Sequence, residues 1–144
     1  MNDLNAWKHR LTEDLEPLLS LPDPRPRLSA YDNLPFAIFL YPPEHEFSVR
    51  EESSRLVTRL MNKGKRVTTI SLAERLWTAL EREGYSIDEL AEAERDGGWE
   101  AMGMTLHDIL RQTQPLEDMV AEQVPSDAAP EKDVVLIVRA GALF

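Results

Sequence analysis

The chain contains no cysteine. That excludes disulfides, thiolate nucleophiles and zinc sites built on Cys, and it favours a cytosolic address. No apolar stretch approaches the roughly 18 residues that a membrane span needs. The opening Met1-Asn2-Asp3-Leu4 offers neither a basic n-region nor an apolar h-region, so no signal peptide is expected. Glycine is sparse, six residues in 144, and neither a Walker loop nor a G-x-G-x-x-G turn occurs. Cations are in the minority. Sixteen Lys and Arg face 26 Asp and Glu, a net charge of −10. This disfavours nonspecific binding to DNA or RNA, because affinity for a phosphate backbone comes from cations that displace counterions. An acidic membrane surface is disfavoured for the same reason. The excess of carboxylates reads first as a solubilising surface, with a basic protein partner or mimicry of nucleic acid as its other uses.

What is present suits a soluble globular protein. Hydrophobic residues make up 42% and charged residues 29%, and a chain of this length is expected to fold as one domain spanning residues 1–144. Its organising stretch is Leu34-Pro35-Phe36-Ala37-Ile38-Phe39-Leu40-Tyr41, an apolar run bracketed by prolines. Such a run predicts a strand buried on both faces. Ser48 and Glu51 follow at capping-box spacing, so the strand is expected to feed a helix, the first step of a βα unit.

Before that strand, Asp3 is placed to cap a helix with Leu4, Trp7, Leu11 and Leu15 on one side, ending near Glu16 because Pro17 interrupts it. Leu18, Leu19 and Leu21 could add a further turn. Residues 22–33, with three prolines, read as an extended loop. After the run, a helix bearing Val49, Leu56, Leu60 and Met61 on one face stops at Gly64. Val67-Thr68-Thr69-Ile70 is a short β-branched strand. Ser71 with Glu74 and Ser86 with Glu89 make two more S-x-x-E starts, the second opening a helix to about Arg95. Gly97-Gly98 breaks the chain. Trp99 to Gln114 reads as helical in parts, interrupted by Gly103, and Pro115 opens a helix whose Leu116, Met119 and Val120 face inward. A polar loop over 125–132 leads to Val134-Val135-Leu136-Ile137-Val138, the strongest strand signal in the chain.

Strands separated by helices imply parallel pairing through right-handed crossovers. The expected fold is α/β and three-layered: a short, mainly parallel sheet, with strands near 35–41, 66–70 and 133–138, covered by helices on both faces. Ligands of open α/β sheets bind outside the carboxyl ends of the strands. That edge would carry Glu44, His45 and Glu46 after the first strand and Arg139 after the last. Two carboxylates and an imidazole suit a divalent metal or acid–base work. However, adjacent loop residues do not converge unaided, and no second cluster supplies further ligands, so neither a metal nor a cofactor is expected. His9 and His107 are isolated, and Trp7, Trp77 and Trp99 read as core or helix-packing residues. The stripe Leu4, Trp7, Leu11 and Leu15 is a candidate partner-binding face as well as a packing face.

The run 34–44, the helix with Arg50-Glu51 and Leu56…Leu60, the segment Thr69-Ile70-Ser71-Leu72-Ala73-Glu74 and the close Val134…Val138-Arg139-Ala140-Gly141-Ala142-Leu143-Phe144 together resemble the BrxB family, a small component of BREX phage-defence systems. The resemblance extends from about residue 28 to the end and lies in strand–turn segments rather than catalytic motifs. Where this chain has Arg139-Ala140-Gly141, family members more often have Gly-Val-Gly, so no role is carried over to that turn. Members usually continue past the final strand, which makes the chain an expected N-terminal portion of a longer protein. The resemblance implies a cytoplasmic bacterial protein acting in a multiprotein assembly beside the phosphatase-like PglZ, a methyltransferase and an ATPase. It brings no catalytic residues. The sequence therefore predicts a noncatalytic adaptor that binds a larger BREX protein, PglZ first. Two alternatives stay open: a nucleotide-binding or hydrolytic module using Glu44, His45, Glu46 and Arg139, and direct nucleic-acid binding through Arg25, Arg27 and Lys63–Arg66.

Overall fold

The structure, a computed structural model, describes residues 3–28 and 34–143. Its chain falls into two compact units, one of Met1–Val67 with Asp127–Val134, the other of Thr68–Ser126 with Val135–Phe144. It is rich in helix, with a short parallel sheet of two strands, β1 (Arg66–Ser71) and β2 (Asp133–Val138). Among the described residues no helix is long and apolar enough to cross a membrane.

The first unit opens with α1 (Asp3–His9), which runs through a wider π-helical turn (Arg10–Leu15) into α2 (Glu16–Leu19). The expected stop at Pro17 is therefore corrected: the helix continues to Leu19, the further turn that Leu18 and Leu19 offered. In the widened turn the Glu16 N–H reaches back to the Leu11 carbonyl, so the proline enters at the start of a new helical segment, where its missing donor costs least. Residues 25–28, expected as extended loop, form one helical turn, α3 (Arg25–Leu28); residues 29–33 of that loop lie outside the described residues.

The largest correction concerns residues 35–41. No strand forms there. Pro35 and Pro42-Pro43 lack amide donors at both ends of the run, and an apolar run signals a wish for burial without showing that the chain holds a strand to pair with it. Leu34, Phe36, Ile38 and Leu40 are 42%, 57%, 77% and 71% exposed. The downstream helix α4 (Glu46–Asn62) begins two residues before Ser48, after a 3₁₀ turn over Pro43–His45. Pro43 sets the helical φ early, so the Ser48–Glu51 capping box is not used. Val49, Leu56 and Leu60 turn inward from α4 alongside Trp7, Leu11 and Leu19 of the first helices.

Charge is buried in this unit too. Glu16 and Glu52 are 7% and 4% exposed. Arg59 bridges them: its Nε donates to both Glu16 oxygens at 2.9 and 3.1 Å and its Nη1 to Glu52 at 3.1 Å. Its Nη2 lies 2.8 Å from Glu16 Oε2 at an angle too poor for a hydrogen bond, so that contact is Coulombic. Lys65 is also buried, and its ammonium donates to the carbonyls of Leu21 and Glu131 at 2.6 and 2.9 Å. Next to it Arg66 holds both Asp133 and Asp127.

In the second unit α5 (Leu72–Arg82), α6 (Ile87–Asp108), a π-helical turn (Ile109–Thr113) and α7 (Leu116–Ala121) gather around Ala79, Leu80, Ile109 and Met119. The Ser71 hydroxyl caps α5 through the Glu74 N–H, and Ser86 with Glu89 forms the full reciprocal box on α6. Ser86→Ala is expected to cost about 1 kcal/mol, read in urea denaturation together with faster amide exchange over the first turn of α6. Gly98 breaks α6 as expected, at φ 77° and ψ 166°, a region open to glycine alone. Gly103 does not interrupt it. Trp77 and Trp99 are 47% and 72% exposed, which corrects their reading as packing residues; Trp7 alone is buried.

Of the sheet, Val135 and Ile137 project from β2 at 37% and 54% exposure while Val134 on the alternate side is buried. A strand covered on both faces would hide both sets. The layered reading thus reduces, in this structure, to helices and two parallel strands.

Candidate functional site

The residues of the expected carboxyl edge have separate surroundings. Glu44 is exposed on the 3₁₀ turn. The His45 ring packs on Trp7 with centroids 6.0 Å apart. Glu46, first residue of α4, accepts from the Tyr41 hydroxyl at 2.6 Å and from Arg50 Nε at 2.9 Å. Burial, together with the bond to Glu46 and its charge, pushes the Tyr41 phenol up to about 12, so it stays a donor at any physiological pH. Glu46 thus serves as an anchor for the end of the 34–41 run. Among the described residues no three His, Cys, Asp or Glu side chains gather as metal ligands. Arg139 belongs to the second unit, exposed just after β2 with a left-handed φ of 59°.

The first-helix stripe is divided. The Leu4 side chain lies outside the described residues. Trp7 and Leu11 are buried within their own unit, 5% and 3% exposed, and Leu15 is half-buried. Trp7 Nε1 has no hydrogen-bond partner, an uncompensated donor beside the imidazole of His45. At its outer edge the stripe meets the apolar run. Arg10, Asp14, Leu15 and Leu18 face Ile38, Phe39 and Leu40 across a shallow cleft of about 260 Å³.

Arg10 holds that cleft together. Its guanidinium sits 5.6 Å from the Phe39 ring centre, a cation–π contact, and Nη2 donates to the Leu40 carbonyl at 2.9 Å. The run is therefore fixed at Leu40 by Arg10 and at Tyr41 by Glu46. No backbone–backbone hydrogen bond involves residues 34–41 among the described residues. Backbone groups without such partners, carrying outward apolar side chains, are the features of a free strand edge. Sequence reasoning missed the clamp because Arg10 and Leu40 lie 30 residues apart with no local spacing rule to link them.

The basic candidates for nucleic acid are largely engaged internally. Arg25 makes a bidentate pair with Asp23, Lys63 reaches Glu16 and Ser20, and Lys65 and Arg66 are held as described. Arg27 is exposed. Paired cations have little counterion to release, so they add little to phosphate affinity.

No family model, curated protein or solved structure matches the chain.

Proposed function

We propose that this chain is a noncatalytic adaptor that recruits a larger protein into a cytoplasmic BREX phage-defence assembly, PglZ first, and that the run Leu34–Tyr41 is where it does so. The observation that carries the reading is the run itself: apolar side chains turned to solvent on a backbone without main-chain partners among the described residues, pinned at one end by Arg10 and Glu46. Contiguous exposed apolar surface marks protein contacts, and an extended edge recruits a strand through main-chain hydrogen bonds while its side chains choose the partner. The identity of the assembly rests on the resemblance of the strand–turn segments to BrxB. In this reading the strand at 35–41 and the three-layer arrangement exist in the complex, where the partner supplies the missing pairing.

The test is co-purification. Tagged chain expressed with a complete defence operon should retain PglZ, and Phe36→Asp with Ile38→Asp should release it. Both side chains are more than half exposed, so the urea midpoint of the double variant should stay with wild type. A wild-type chain that retains no defence component, or a variant that retains PglZ undiminished, would remove the proposal.

A further inference from the structure

We propose a second docking face, on α6 of the other unit, whose occupant is a basic amphipathic helix of another protein. It goes beyond the Leu34–Tyr41 surface and rests on none of the same residues. Past the Gly98 break, α6 turns Leu106 toward the cluster of Ala79, Leu80, Ile109 and Met119. A separate face carries a shallow, largely apolar cleft of about 370 Å³ lined by Trp99, Glu100, Gly103, Met104, His107 and Asp108. Trp99 and Met104 are 72% and 71% exposed there, a tryptophan and a methionine that contribute little to their own unit's core.

The cleft owes its floor to Gly103. Glycine inside a helix weakens it relative to alanine, and a Cβ built at this position would meet nothing within 4 Å. Nothing packed against Gly103 within the described structure therefore requires a glycine. A ridge of another helix laid into the notch would require one, because it brings a large side chain close to the backbone.

The rim names the chemistry of that helix. Over Ile87–Asp108 seven carboxylates stand against Arg95 as the one Lys or Arg, so this segment holds −6 of the chain's net −10. Asp88, Glu92 and Asp96 fall on one four-residue spacing before the Gly98 break, where like charges repel, and Glu100 and Asp108 lie past it. Among the described residues none of these five enters an ion pair. Glu100 and Asp108 bracket the apolar floor eight residues apart, about 12 Å along a helix. A partner with an apolar anchor flanked by Lys or Arg fills the notch and pairs with Glu100 and Asp108 at its two ends. Nucleic acid, carrying the same sign of charge, is repelled.

The test uses the full chain and a synthetic amphipathic helix of leucine and lysine, titrated by calorimetry, with the lysines replaced by glutamate in a control peptide. Wild type should bind the basic peptide, about tenfold more weakly when ionic strength is raised from low to physiological, and should ignore the acidic one. Gly103→Leu should lower affinity at least tenfold while leaving the urea midpoint of the free chain unchanged or higher, a pairing that simple damage to the fold would not produce. Glu100→Gln with Asp108→Gln should flatten the salt dependence. Equal binding of the acidic peptide, no binding of the basic one, or full affinity in Gly103→Leu would each overturn the proposal. Phe36→Asp with Ile38→Asp should leave peptide binding intact, so failure here and failure of the first surface are read separately.

Discussion

Arg59→Met is expected to destabilise the protein by about 3 kcal/mol, because it leaves two buried carboxylates facing each other without the cation between them. Among the described residues Glu16 then keeps Lys63, and Glu52 keeps Arg55 and Lys8. Those long side chains stand about half exposed and are screened by water. In the native protein the Arg59 hydrogen bond holds the Glu16 carboxyl below its ordinary value of 4.5 against the opposing effect of burial. For Glu52, burial alone would raise the value, and hydrogen bonds from Arg55 and Arg59 outweigh it. Folded values below the unfolded ones contribute stability above pH 4.5 that is lost as pH falls through the depressed values.

The variant reverses that sign where burial dominates. A carboxylate buried without its cation takes up a proton more readily when folded, so the gap between variant and wild type should narrow from pH 7 toward pH 4.5. Urea denaturation at several pH values reads this directly. Glu16→Gln with Glu52→Gln in the Arg59→Met background should recover much of the loss at pH 7. A gap under about 0.5 kcal/mol, the size of an ordinary surface change, or one independent of pH, would show that the network is worth no more than a surface ion pair.

How much of this was legible depends on the range over which each interaction acts. The Ser71 and Ser86 starts, the Gly98 break and the strands near 66–70 and 133–138 rest on neighbours within a few residues, and the structure places elements there. The Ser48 box failed on an equally local competitor, Pro43, which opens the 3₁₀ turn leading into α4. The failure at 35–41 is different in kind. Apolarity reports the side chains' preference, while a strand needs a neighbour, and no local pattern states whether one is at hand. The features that now carry the candidate surface, Arg10 on Phe39 and Leu40, and the ion network of Glu16 with Arg59 across 43 residues, are long-range pairings of this second kind. The half of the network within α4 lies within local reach, Glu52 standing three and seven residues from Arg55 and Arg59. The exposed Trp99 could have been suspected from the two glycines before it, which detach it from the preceding helical stripe.

Met119→Ala should cost about 3 kcal/mol, the middle of the range for emptying a methionine site in a core. Met119 is 1% exposed, and its buried neighbours are Ala79, Leu80 and Ile109. Ala79 offers only a methyl group, too short to reach into a void. Leu80 and Ile109 are anchored on α5 and on the π-helical turn, so the site collapses only if backbone moves. Met119→Leu conserves volume and should stay within about 1.5 kcal/mol of wild type, which separates loss of packing from loss of the thioether. The partly buried Leu106 and Leu110 pack against the same cluster, so the cavity should also loosen the C-terminal half of α6. Faster amide exchange over residues 99–110 is then expected in Met119→Ala and not in Met119→Leu. A weaker grip on the basic peptide should accompany it, although no residue of the cleft has been touched. If Met119→Ala unfolds within about 1 kcal/mol of wild type, or exchange over 99–110 is unchanged, this cluster is not what positions the acidic face.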